Sequence, residues 1–293
     1  MFSIINMDIV PPPTIHPDVN FVPFIKSLLK KAKLKDMYID KLTTPTCMFE
    51  WTKTFTSIGA DPFYNYELYE AFGDATGNKI VVWYYKQRFP EVFNKPYVKS
   101  GSMGPVDILS KLKSNGVSKK TFGNYGKSLG FDKFIRSTDE EKTSLSLEED
   151  VFEAFLGCLE TLIDTHIGEF VGYGICYNFM KPLMDQEKIS LERDKLYDPI
   201  SIMNEEQTKY KQGVKIDYII SEDKKAIEEK RPTQHFSAVM KVTDTMSRNT
   251  IYMSRSFFGP TKKDASKSAA RHSIDNGVLD IIKRHMSSYL IRK

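Results

Sequence analysis

Residues 145–164, LSLEEDVFEAFLGCLETLID, constrain this chain most. Phe152, Phe155, Leu156, Leu159, Leu162 and Ile163 recur at intervals of three and four, the spacing of one face of an α-helix. Such a stripe has to be covered by other elements. Ser144 and Ser146, followed by Glu148 and Glu149, supply cap and dipole chemistry at its start. Asp150 and Glu153 sit three apart, off the apolar stripe, and Gly157 follows them one turn later.

A second segment poses the same problem. In YNYELYEAFGDATG, residues 64–77, Glu67, Glu70 and Asp74 fall at i, i+3 and i+7. On a helix they share one stripe, next to an apolar one made of Leu68, Ala71, Phe72 and Ala75. Carboxylates so placed repel and raise one another's pKa unless a cation neutralises them. No Lys or Arg follows at i+4 to make the stripe an ordinary salt-bridged surface. Two acidic helices therefore ask for a metal. Gly73 and Gly77 allow close backbone approach, either to the metal or to a neighbouring helix.

The chain has 293 residues, 41% hydrophobic and 27% charged, enough for two domains and too polar for a membrane protein. It holds no apolar run near the roughly 20 residues of a spanning helix, and MFSIINMDIVPPPTIHP lacks the basic and apolar regions of a secretory leader. A cytoplasmic or nuclear location is expected. Cys47, Cys158 and Cys176 have no CxxC pairing and read as buried free thiols; with His166 between two of them they match no common zinc spacing. Net charge is +4 but unevenly spread: residues 197–293 carry 18 Lys and Arg against 12 Asp and Glu. Residues 255–293 hold nine basic and three acidic side chains, the footprint of a polyanion-binding surface.

The organisation follows. Residues 1–19, with Pro11–Pro13, read as an extended segment and residues 20–185 as a mainly α-helical domain, including FVPFIKSLLKKAKLK, CMFEWTKTF, KIVVWYYKQRF, VDILSKLK and TFGNYGKSLGF. Trp83, Tyr84 and Tyr85 are expected in its core. Residues 186–197 read as a linker. Residues 198–293 change pattern: a helix with Pro at its first turn, three strands (KIDYIIS, HFSAVMKVT, NTIYMSRSFF) and one long final helix, with a charged loop, EDKKAIEEKRPTQ, between the first two strands.

The two acidic helices resemble the ribonuclease III family, with its NERLEFLGD and ADxFEA motifs. YELYEAFGD and EDVFEAFLG align with these without gaps. Residues 198–284 resemble a double-stranded RNA-binding domain, in which PISIMNE opens the first helix and GPTKKDASKSAA stands for the glycine turn and the KKxAKxxAA helix. The implied fold is an all-α endonuclease domain followed by an α-β-β-β-α domain. The implied catalytic residues are Glu67, Glu70, Asp74, Asp150 and Glu153, of which Glu70, Asp74, Asp150 and Glu153 would hold Mg²⁺, with Mn²⁺ able to substitute. The implied RNA contacts are Ser201, Glu205 and His235 in the minor groove, and Lys262, Lys263 and Lys267 on phosphates. The implied partners are duplex RNA and a second copy of the catalytic domain.

Three departures stand out. Tyr66 replaces the Asn that opens the first motif. Ala71 replaces a bulky dimer-interface residue, a role Tyr69 or Phe72 would have to fill. Ser266 stands where the RNA-binding motif has its third Lys. Glu91 is shifted from a further glutamate of the family and is not assigned. The reading that follows is an endoribonuclease cutting duplex RNA to 5′-phosphate and 3′-hydroxyl ends. A protein that holds duplex RNA without cutting it is the alternative, and a DNA-binding role fits the basic tail but not the domain type.

Overall fold

The computed structural model describes residues 16–94, 104–143, 147–192, 196–224, 229 and 234–291. The chain forms two compact units, Met1–Ile189 and Ser190–Lys293. Ser144, Ser146 and most of the EDKKAIEEKRPTQ loop lie outside the described residues.

In the first unit the helices are α1 (Phe21–Lys31), α2 (Asp36–Lys41), α3 (Pro45–Thr54), α4 (Glu67–Arg88), α5 (Pro90–Phe93), α6 (Pro105–Gly116), α7 (Lys119–Leu129), α8 (Leu147–His166) and α9 (Gly172–Met184). The most constraining segment becomes α8, the hub of this unit. Val151, Phe152, Phe155, Leu156, Leu159 and Ile163 are fully enclosed, and α3, α4, α7 and α9 pack around them. Aromatic side chains fill the space between: Trp51 stacks on Phe155 at 5.4 Å between ring centroids and donates its indole N–H to the Leu42 carbonyl, 2.9 Å away. Phe131 meets Phe55, Phe152 and Phe155. All three cysteines are buried free thiols.

The acidic segment and KIVVWYYKQR are one 22-residue helix, α4. Its buried side differs from the one its apolar residues suggest. Leu68 and Phe72 are 66% and 53% exposed, and Ala71 and Ala75 are also exposed. Tyr69, Gly73, Thr76, Gly77 and Ile80 face α8 and its neighbours instead. Small residues win this side because the two helices touch at their backbones, as described below. Tyr84 and Tyr85 are core, but Trp83 is 45% exposed and lies under the Lys86 ammonium at 4.9 Å.

A pinned loop leads into α4. The Arg136 N–H donates to the Phe55 carbonyl and the Ser57 N–H to the Arg136 carbonyl, both at 2.8 Å. The Glu141 carboxylate accepts from the Ser57 hydroxyl at 2.5 Å, the Gly59 N–H at 3.1 Å and the Thr138 N–H at 2.9 Å. These donors hold its pKa down, the Ser57 hydroxyl most.

The second unit opens with α10 (Pro199–Lys209), capped by the Asp198 side chain on the Ile200 N–H. The strands are β1 (Val214–Glu222), β2 (Phe236–Asp244), β3 (Thr250–Met253) and β4 (Phe257–Gly259). β2 is central and antiparallel to the other three. The stretch read as one third strand is therefore two, both on β2. The break lies at Ser254, whose N–H donates to the Met240 carbonyl while its hydroxyl accepts the Met240 N–H, both at 2.9 Å. The single final helix is likewise two, α11 (Lys262–Asp275) and α12 (Val278–Ile291). Gly277, at φ 77°, turns the chain between them in the left-handed conformation that glycine adopts without strain.

Candidate active site

α4 and α8 cross at two glycines. A Cβ on Gly73 would overlap the Glu153 carbonyl oxygen, and a Cβ on Gly157 would overlap the Tyr69 carbonyl oxygen. No other residue permits that approach. Glu70 and Asp74 flank Gly73 on α4, and Glu153 lies one turn before Gly157 on α8, so the crossing brings the two acidic stripes together. Glu67, Glu70, Asp74, Asp150 and Glu153 all line one opening of about 450 Å³, with Ala71, Val117, Lys119 and Glu149 completing its wall. All five carboxylates named from the sequence thus share one site. Gly77 serves packing, its α-carbon facing the Phe122 ring.

The site holds negative charge against its preference. Glu153 is 7% exposed; burial, reinforced by Asp74, Glu149, Glu70 and Asp150, pushes its pKa up to about 8. Burial, with Asp150, Glu67 and Glu149, raises Glu70 to about 7 against the opposing pull of Lys119. Asp74 is exposed and accepts from the Asn78 amide at 2.7 Å. Tyr66, the departure at the head of α4, is buried and directs its hydroxyl to Asp150 Oδ2 at 3.5 Å. Burial and the surrounding carboxylates keep that phenol neutral.

Two wall residues were not singled out from the sequence. Glu149 is buried, and its carboxylate meets the Lys119 ammonium at 3.1 Å. In the sequence Glu149 passes for helix-start chemistry beside Glu148, and nothing near Lys119 marks it. The donor set is all oxygen, which suits a hard divalent cation such as Mg²⁺ and not zinc. Among the described residues, no group of three or more acidic, His or Cys side chains is placed closely enough to hold a metal ion as the structure stands.

In the second unit, Lys262 and Lys263 open α11 and are exposed, and Glu205 is exposed on α10, where Ser201 is half-buried. The Lys262 ammonium lies 5.8 Å from the Phe236 ring centre. His235 is half-buried, and its carbonyl accepts the Asp223 N–H at 2.9 Å. Lys267 meets Asp198 Oδ2 at 2.6 Å, tying α11 to the cap of α10. Asp198 stays below the usual carboxylate range: burial raises it, but Lys267 and the Ile200 and Ser201 N–H groups outweigh that.

A protein of Invertebrate iridescent virus 6 named "Putative ribonuclease 3" is 31% identical over 280 residues, 90% of each chain. The chain belongs to the ribonuclease III family. A Frog virus 3 (isolate Goorha) protein of the same name is 33% identical over 186 residues, covering 62% of this chain and 47% of its own. No family model matches. Among solved structures, the nuclease domain of ribonuclease III from Campylobacter jejuni covers 57% of this chain and 98% of itself at 21% identity and TM-score 0.39. Dicer from Pichia stipitis covers 80% and 94% at 19% identity and TM-score 0.34. No helix among the described residues is long and apolar enough to cross a membrane.

Proposed function

We propose that this ribonuclease III family protein is a metal-dependent endoribonuclease that hydrolyses double-stranded RNA. The observation that carries the reading is the convergence of Glu67, Glu70 and Asp74 with Asp150 and Glu153 on one opening, where burial and neighbouring carboxylates raise Glu70 to about 7 and Glu153 to about 8. Such a set gains most from a cation that replaces their protons.

Glu70, Asp74, Asp150 and Glu153 would hold two Mg²⁺ or Mn²⁺ ions in this reading, with Glu67 in support. Bound divalent ions supply an activated water and neutralise charge on the leaving oxygen of the phosphodiester. The chain's own contribution is placement. The Gly73–Gly157 crossing fixes the distance between the two acidic stripes, the Tyr66 hydroxyl orients Asp150, and the Asn78 amide orients Asp74. No side-chain nucleophile is required, and the products are a 5′-phosphate and a 3′-hydroxyl.

The second unit is a double-stranded RNA-binding domain in this reading, supported by its helix–sheet–helix order and its exposed basic helix start. Lys262 and Lys263 meet phosphates, joined by Lys267 if it leaves Asp198; Ser201, Glu205 and His235 face the minor groove, so duplex shape is read with little base preference. Cations at a helix N-terminus oppose the helix dipole, which favours a binding role for the pair over a stabilising one.

The working form is a homodimer. Leu68 and Phe72 leave their apolar side chains exposed on the same helix as the acids, a surface that a second copy could cover. Phe72 also borders a groove of about 690 Å³ between α4 and α8. Tyr69 is unavailable for that contact, since it is buried with its hydroxyl on Glu50 at 2.6 Å. Phe72 takes the place that Ala71 leaves empty. The test is cleavage of end-labelled duplex RNA, single-stranded RNA and duplex DNA, each with Mg²⁺ and with chelator. Cutting of duplex RNA alone, only with metal, is expected; cation-independent cutting or none would overturn the reading.

A further inference from the structure

We infer that Lys119 grips a backbone phosphate of the RNA strand that enters the acidic opening; this rests on the proposed nuclease reading.

Of the described residues that line the opening, Lys119 is the one cation, set against Glu67, Glu70, Asp74, Glu149, Asp150 and Glu153. It stands at the first position of α7, a helix already capped by the Ser118 hydroxyl on the Thr121 N–H. A cation there opposes the helix dipole, so helix stability does not account for it.

The two partners differ in exposure. The Glu149 side chain is 9% exposed and that of Lys119 is 68% exposed. The ammonium can therefore exchange its carboxylate for an incoming phosphate without unburying anything of its own. An opening walled only by carboxylates would repel a phosphodiester until cations filled it. A lysine at its edge gives the strand a fixed positive contact beside the acids, as a point charge that tolerates either non-bridging oxygen. Electrostatic attraction of this kind is sequence-independent, in keeping with recognition of duplex shape.

The test compares the full-length protein with Lys119→Gln, Lys119→Arg and Lys120→Gln, the last being the exposed neighbour one position on. Duplex RNA binding is measured against salt in Ca²⁺, and cleavage in Mg²⁺. Lys119→Gln should weaken binding, lower the slope of log affinity against log salt by about one, and reduce kcat/KM by about tenfold. Lys119→Arg should restore the slope and most of the activity, while Lys120→Gln and all melting temperatures stay near wild type. An unchanged slope for Lys119→Gln overturns the inference. So does a loss of activity that Glu149→Gln reproduces with a shifted Mg²⁺ requirement, since that marks a clamp on Glu149. A wild-type protein that binds without cutting overturns the nuclease reading but still lets the slope decide on Lys119.

Discussion

The two units carry charge in opposite ways. In the first, carboxylates are crowded against a helix crossing, and Glu70 and Glu153 are pushed up to about 7 and about 8 by burial and by neighbouring carboxylates. In the second, Lys262 and Lys263 stand in open solvent at the start of a helix. Crowded, desolvated charge stores a demand for a counter-ion; exposed charge stays free to meet a polyanion. Chemistry and grip make different demands on a fold, and only the first needs a specific backbone geometry.

The sharpest break in that comparison is Gly157→Ala. Its methyl group would overlap the Tyr69 carbonyl, so α4 and α8 must part. A loss of about 3 kcal/mol is expected in denaturant unfolding, with cleavage abolished. Next, Phe72→Asp should convert a dimer into a monomer in sedimentation experiments and reduce cleavage with it; a wild-type protein that is already monomeric would remove the interface.

For the exposed charges, Lys262→Gln with Lys263→Gln should lower the salt slope of duplex RNA binding by about two and leave the Mg²⁺ requirement unchanged. The smallest effect is thermodynamic. Glu70 and Glu153 bind protons more tightly folded than unfolded, since their folded values lie above the ordinary 4.5. Their contribution to stability is therefore fully present below about pH 4.5 and is lost as pH rises toward about 8. In chelator, wild type should lose melting temperature across that window relative to Glu153→Gln, and Mg²⁺ should narrow the gap.

Much of this was legible in the sequence. The α8 stripe and the acid spacings follow helical periodicity, and the family motifs bring the same five carboxylates together on paper. The buried side of α4 was not legible, because Gly73, Thr76 and Gly77 carry little hydrophobic signal while Leu68 and Phe72 carry a strong one and stay outside. Backbone contact between helices rewards small residues, and a reading by hydrophobicity misses it. The same limit hid Trp83, whose ring is half in solvent. The split of the last helix was signalled by Asn276–Gly277, a common helix stop; the strand break at Ser254 depends on a cross-strand hydroxyl contact that has no local signature. Glu149 and Lys119 meet only in three dimensions.

The most direct test of the acidic site compares wild type with Glu153→Gln on duplex RNA in Mg²⁺, with binding measured in parallel. Removing one of the shared carboxylates forfeits several kcal/mol of transition-state stabilisation, so cleavage should fall by at least about 100-fold while duplex binding persists. Cleavage by Glu153→Gln at the wild-type rate would contradict the assignment of this site.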